Sequence, residues 1–256
     1  MAEKTNTEAS TSAKKNLIEH KYFHDPLYTA RIQRIMESYT MFRECIRDGN
    51  CLYISYAVAL ADLLAAEKDV LLRTLIDAFD KTNEALCLYN IDELGYKGFY
   101  DSFVEILVDI ANGTKKIEDV PLYSLYDCVA YLRLIVSTEI KSNPDKYQPY
   151  IPEMDVGKYC TRFVDPFYQQ AGCVEICALS GSIPVRIHVV DITKDNEDVY
   201  GDHPHEISIF YTHGHFEPIY QDRCRAEEEG ESDLDKKLSI LETDGGEACN
   251  KKQESC

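Results

Sequence analysis

The sequence predicts an α+β fold, a helical N-terminal half packed on a mostly antiparallel sheet in the C-terminal half. Three observations predict it. Apolar residues recur at helical spacing as far as Lys141, and they alternate with polar ones in two stretches beyond Ile183. No Pro- or Ser-rich linker divides residues 21–223. Helices followed by strands argue against a doubly wound arrangement.

Taken in order, residues 1–20 are rich in Thr, Ser, Ala, Glu and Lys without apolar periodicity, and read as a disordered lead. Asp25-Pro26 is a helix start, a capping residue followed by Pro at the first helical position. Leu27, Ile32, Ile35 and Met36 then share an apolar face. Asn50 caps a second helix running from Cys51 to about Ala66. Phe99, Phe103, Ile106, Leu107 and Ile110 mark a third, stopped by Asn112-Gly113. Leu122–Lys141 is a long fourth, closed by Asn143-Pro144. Strand alternation follows in Ile183, Val185, Ile187 and Val189, and again in Ile207, Ile209 and Tyr211. Thr212-His213-Gly214 reads as a turn into a last strand, His215–Tyr220. Residues 224–256 read as an acidic disordered tail, with ten acidic and four basic residues from Ala226 onward. One domain over 21–223 is left.

The 256 residues carry 27 Lys and Arg against 45 Asp and Glu, a net charge of −18. Taking out the −6 of the tail and the +1 of residues 1–15 leaves −13 on residues 16–225. The acidity belongs to the folded domain. It argues against nucleic acid and anionic membrane surfaces, which need clustered cations, and favours basic protein partners. Leu52–Ala66, the most apolar stretch, is broken by Asp62 and is shorter than the roughly 20 residues of a membrane-crossing helix. Met1–Lys15 lacks the apolar core of a secretory signal. The ten cysteines show no CxxC spacing. They read as free thiols of a monomeric protein in the cytoplasm or nucleus, with neither a metal nor a cofactor expected.

The sharpest local feature is Asp48-Gly49-Asn50-Cys51, directly before the second helix. Asp-Gly favours a turn, and Cys51 would stand in the first helical turn, where free N–H groups and the helix dipole stabilise a thiolate. The same N–H groups could hold an oxyanion, although Cys51 could equally pack as a small hydrophobe. Of seven histidines, His20 and His24 lie near the lead, and His188 reads as a sheet-surface residue. His203-Pro204-His205 is a solvated loop or a weak metal site. His215 follows Gly214 at the head of a strand, and Glu217 lies two residues on. Period-two alternation places both on one face, so a carboxylate could orient the imidazole.

Several segments together carry a resemblance. Asp25–Tyr53 reads DPLYTARIQRIMESYTMFRECIRDGNCLY, followed in order by YLRLIVSTE from Tyr131, FVDPF from Phe163, ICALS from Ile176 and GHFEPIY over Gly214–Tyr220. Over roughly residues 22–222 these resemble the otubains, cysteine deubiquitinases of the ovarian-tumour superfamily with a papain-like fold. The resemblance implies an isopeptidase that removes ubiquitin, including polyubiquitin, from lysine side chains. Cys51 resembles its nucleophile, His215 its general base and acid, and Asp48 the aspartate of the turn shaping the oxyanion hole. Glu217 stands where otubains usually have the Asp that orients the histidine. Leu52 and Ile54 stand where they usually have Phe and Arg. Implied partners are ubiquitin, ubiquitin chains, ubiquitinated proteins and ubiquitin-conjugating enzymes, with the proteasome-targeting linkage expected by analogy. Two other readings stay open: a catalytically weakened protein that binds ubiquitin or conjugating enzymes, and a thiol hydrolase for another substrate.

Overall fold

The computed structural model describes residues 12–67, 69–195 and 197–221. The chain divides into a unit Met1–Tyr220 and a second, Gln221–Cys256. The expected acidic tail lies outside the described residues. The first unit runs β1 (Lys15–Asn16), α1 (Thr29–Ser38), β2 (Tyr39–Phe42), α2 (Cys51–Glu67), α3 (Asp69–Leu86), α4 (Glu93–Ala111) and α5 (Leu122–Ser142). The one-turn helices α6 (Pro144–Tyr147) and α7 (Val156–Tyr159) and then α8 (Cys173–Ser182) come next. The strands β3 (Arg186–Asp191), β4 (Asp198–Tyr200), β5 (Glu206–Tyr211) and β6 (Phe216–Gln221) follow.

A helix that is apolar all round has to be central, and α2 is: every residue from Cys51 to Ala61, and Leu64, is buried. It packs against α4, α5 and β5. Leu52 and Ile54, at positions where a Phe and an Arg were the expectation, both fill this core with apolar side chains. The strands form a mixed six-stranded sheet in the order β1-β2-β6-β5-β3-β4. The β1–β2, β3–β4 and β5–β6 ladders are antiparallel. Beside β5, β3 runs parallel, with Ile187 opposite Ile207 and Val189 opposite Ile209. These four side chains join the α2 core.

The other sheet face is also covered. Val190, Ile192, Phe210 and Ile219 pack with Leu17, Tyr28, Ile32, Ile35, Tyr39 and Phe42, so α1 and the segment before it close that side. This corrects the reading of a disordered lead for residues 12–20, while residues 1–11 lie outside the described residues. Lys15 and Asn16 pair with Phe42 and Met41, and Leu17 is fully buried. Leu17-Ile18 is a lone apolar pair that gives no periodicity, yet burying Leu17 contributes about 1.5–3 kcal/mol. The same layer corrects His188, which is not at the sheet surface: its Nδ1 pairs with the Tyr39 hydroxyl at 2.9 Å. Asp25 caps a 3-10 turn, Pro26–Tyr28, and α1 begins only at Thr29. That change of register leaves Leu27 exposed while Ile32 and Ile35 are buried.

Asp62, the acid that interrupts the apolar run of α2, belongs to a buried ion network. Its carboxylate accepts two hydrogen bonds from Arg43, at 2.8 and 3.0 Å, and one from Tyr220 at 2.6 Å. Arg43 also donates to Glu118 at 2.7 Å and to the Ser12 carbonyl at 2.8 Å. A fork of donors spread over three acceptors satisfies a charge that would otherwise be costly to bury. It fastens the N-terminal segment, α2 and β6 to one another.

If the N-terminal segment is integral, Leu17→Ala should cost about 2–4 kcal/mol in denaturant unfolding, whereas Ile18→Ala, whose side chain is half exposed, should cost less than about 0.5.

Candidate active site

The turn before α2 is closed by its own side chains. Asp48 Oδ1 accepts the Asn50 amide at 2.9 Å, an Asx turn, and Oδ2 accepts Asn50 Nδ2 at 3.1 Å and the Tyr126 hydroxyl at 2.7 Å. Gly49 has φ of +82°, and a Cβ there would stand 2.3 Å from the Tyr168 carbonyl oxygen, so only glycine fits. Asn50 caps α2 through its backbone, whose carbonyl accepts from Ile54 at 3.1 Å. Its side chain does something else. Oδ1 accepts Arg133 at 2.8 Å and the Tyr168 amide at 3.0 Å.

Arg133 is the clamp beneath this turn. It is 2% exposed, lies 4.4 Å from the Tyr53 ring centre, and also donates to the carbonyls of Val164 at 2.7 Å and Gln169 at 2.9 Å. Burial draws its pKa below the usual value. One guanidinium therefore ties the residue before Cys51 to the 164–169 loop. In the sequence the signal was a single Arg inside the apolar run YLRLIV, quoted there only as part of a motif.

Cys51 is buried as the first residue of α2, its Sγ 4.0 Å from the carbonyl oxygen of Gly214, the residue before His215. Burial pushes its thiol pKa up and the Asp48 charge adds to this, while backbone N–H groups of Phe216 and Leu52 oppose the rise. The resting state is thus a thiol that requires a base, surrounded by amides that would hold the thiolate.

The β5–β6 turn places an imidazole beside this thiol. Thr212 and His215 exchange backbone hydrogen bonds at 2.8 and 3.2 Å around His213 (φ +48°) and Gly214 (φ +78°), the geometry of a type I′ hairpin turn. The Ser55 hydroxyl donates to the Phe216 carbonyl at 2.7 Å, fixing α2 against β6. His215 and Glu217 are both buried, and Nε2 of His215 lies 3.3 Å from Glu217 Oε1, within ion-pair reach though not aligned as a hydrogen bond. Among the described residues, Nδ1 of His215 has no hydrogen-bond partner.

One residue at this site was missed. His20, set aside in the sequence with the lead, is 3% exposed, and its Nε2 bonds Glu217 Oε2 at 2.8 Å. Contact across the whole length of the domain leaves no local signal. Burial would raise the Glu217 pKa, but the hydrogen bond from His20 and the pull of His215 outweigh it and hold the carboxyl at about 2. His203 and His205 do not converge, since His203 meets the Ser180 carbonyl at 3.2 Å and His205 pairs with Glu67.

A buried thiol at a helix N-terminus, an imidazole-bearing turn beside it and a carboxylate behind that imidazole are the groups that nucleophilic thiol chemistry requires, here on an α+β scaffold. The chain belongs to the otubain family: the model of Peptidase C65 Otubain matches residues 1–221. It is 27% identical over 221 residues to "Ubiquitin thioesterase otubain-like" of Caenorhabditis elegans, covering 76% of this chain and 74% of that protein. To "Ubiquitin thioesterase OTUB2" of Mus musculus it is 23% identical over 168 residues, covering 64% and 71%. Among solved structures, a complex of h/ceOTUB1 with ubiquitin aldehyde and UBCH5B~Ub superposes with a TM-score of 0.71 at 22% identity, covering 84% of this chain and 91% of that one. A ceOTUB1, ubiquitin aldehyde and UBC13~Ub complex gives the same score and identity, covering 85% and 95%. The fold is that of these neighbours.

The depressed pKa of Glu217 sets a pH test. A group whose folded pKa lies below its ordinary 4.5 stabilises the fold fully above that value and loses its contribution as pH falls towards 2. Glu217→Gln should therefore destabilise the protein at pH 6, and the gap to wild type should narrow between pH 4.5 and 2 in denaturant melts at each pH.

Proposed function

We propose that the chain is a cysteine isopeptidase that hydrolyses the bond between the C-terminal glycine of ubiquitin and a lysine side chain, in ubiquitinated proteins and in polyubiquitin of the proteasome-targeting linkage. The observation that carries this reading is the placement of Cys51 at the N-terminus of α2 against the turn that bears His215, with Glu217 behind the imidazole. The relatives' names, ubiquitin thioesterases, support the substrate, as do complexes in which the structural neighbours hold ubiquitin aldehyde. The complexes of those neighbours also include UBCH5B~Ub and UBC13~Ub, which supports ubiquitin-conjugating enzymes as partners here. A net −13 on residues 16–225 suits the basic face of ubiquitin. A cytoplasmic or nuclear setting is part of the proposal.

In this mechanism Nδ1 of His215 takes the Cys51 proton, because Nε2 is engaged towards Glu217. The thiolate attacks the glycine carbonyl. The Asn50 amide is already committed to Asp48, so the oxyanion falls to the neighbouring amides of Gly49 and Cys51. Asp48 acts by shaping the turn. Protonated His215 then gives its proton to the departing lysine amine, and water, deprotonated by the same imidazole, clears the thioester. Glu217 Oε1 lies towards His215 despite the longer side chain, which favours turnover over a purely binding role.

Wild-type protein should cleave purified di-ubiquitin to monomer, and Cys51→Ala should lower the rate at least about 10³-fold while leaving the thermal midpoint within a few degrees. Mass spectrometry of the products reads it. Equal cleavage by both proteins would remove Cys51 from the mechanism, and no cleavage of any linkage by wild type would leave the binding role.

A further inference from the structure

Glu217 is the meeting point of two buried imidazoles from opposite ends of the domain. His20 bonds Oε2 at 2.8 Å, and His215 lies 3.3 Å from Oε1. The proton on His20 can be placed. Its Nδ1 accepts from the Tyr22 amide at 3.5 Å, so Nε2 carries the hydrogen and donates it to the carboxylate. The ring is held edge-on by Phe42 at 4.9 Å and Phe210 at 5.3 Å and cannot turn away. Besides the two histidines, the Cys45 thiol feels the Glu217 charge; burial, reinforced by that charge, pushes its pKa up to about 12 and so keeps it neutral.

The segment that carries His20 grips the same hairpin a second time. The Tyr28 hydroxyl pairs with Nε2 of His213 at 2.8 Å, and the Tyr22 ring lies 5.5 Å from the His213 ring. The N-terminal segment thus contacts both the turn before His215 and the carboxylate behind it.

We propose that His20 is a positioning residue of the catalytic centre: it pins one oxygen of Glu217 so that the other is presented to His215. A glutamate has one more rotatable bond than an aspartate, and a second donor fixes what the longer chain leaves free. The segment Leu17–His24 is then part of the active centre, and its seating governs whether His215 is oriented. The reaction it serves is the isopeptidase reading above, but the arrangement can be tested on the thiol alone.

The experiment measures two quantities on the full chain: kcat and KM for di-ubiquitin, and the rate of Cys51 alkylation by iodoacetamide against pH, read by peptide mass spectrometry. His20→Phe fills the aromatic enclosure without a donor. It should lower kcat about tenfold or more with KM within about twofold, and slow Cys51 alkylation near neutral pH. His20→Gln keeps an N–H near the position of Nε2 and should restore kcat to within about threefold of wild type. Glu217→Asp cannot span both imidazoles and should be slower than wild type. In a Glu217→Ala background, His20→Phe should cost nothing further. Wild-type rates in His20→Phe, equal loss in His20→Phe and His20→Gln, or an undiminished Glu217→Asp would each overturn the proposal. The Gln and Asp variants decide it if His20→Phe does not fold. If wild type ignores ubiquitin while Cys51 alkylation still follows His20, the substrate reading fails and this inference stands.

Discussion

The carboxylate of Glu217 is a charge in the interior, and much of the domain is arranged to keep it there. An unpaired buried carboxylate would take up a proton or force the chain apart, since its desolvation far exceeds what one weak contact returns. Here the compensation comes from two imidazoles, and each arrives on a different element. His215 is set by the type I′ turn between β5 and β6, and His20 by a segment that must first add β1 to the sheet edge and bury Leu17. Covering the second sheet face and building the site are therefore one event. The core formed by Val190, Phe210 and Ile219 with the N-terminal layer is the floor on which His20 stands.

The Cys51 side follows a different physical rule. In the proposed reaction charge develops there only once the thiol is deprotonated, and the turn before it is rigid. The turn before α2 is closed internally by Asp48, excluded from alternatives by the close approach of Gly49 to Tyr168, and clamped from below by Arg133 through Asn50. Because Asn50 spends its side chain on Arg133 and Tyr168, it does not cap the first N–H groups of α2. Those amides stay directed at the end of the helix where Cys51 lies. The raised thiol pKa fits this division: burial and Asp48 keep the proton on sulfur until a base removes it.

What could be read in the sequence was what is local. The all-apolar character of α2, the stop of α4 at Asn112-Gly113, the span of α5 and the turn at His213-Gly214 all follow from side chains within a few residues of one another. So does the placement of His215 and Glu217 on one face, which period-two alternation dictates. The rest depended on pairings that no short window contains. His20 and Glu217 are 197 residues apart, and Arg43 bonds Glu118 across 75. The sheet has a second covered face, so His188 is largely covered, and Leu17 and His20 of the polar lead are buried, where alternation alone would expose them. The parallel β3–β5 pair is similarly invisible, because β4 lies between them in sequence and pairs at the edge. Arg133 was visible as an isolated charge in an apolar helix, but its function required knowing that the 164–169 loop passes beneath Cys51.

The proposed function requires one of the ten cysteines, Cys51, to be an activated nucleophile shaped for the C-terminus of ubiquitin. The most direct measurement is reaction with ubiquitin carrying a C-terminal electrophile, followed by peptide mapping of the adduct. A single adduct on Cys51, lost in Cys51→Ser and strongly slowed in His215→Ala, is the predicted result. Labelling spread over other cysteines, or undiminished in Cys51→Ser, would contradict it.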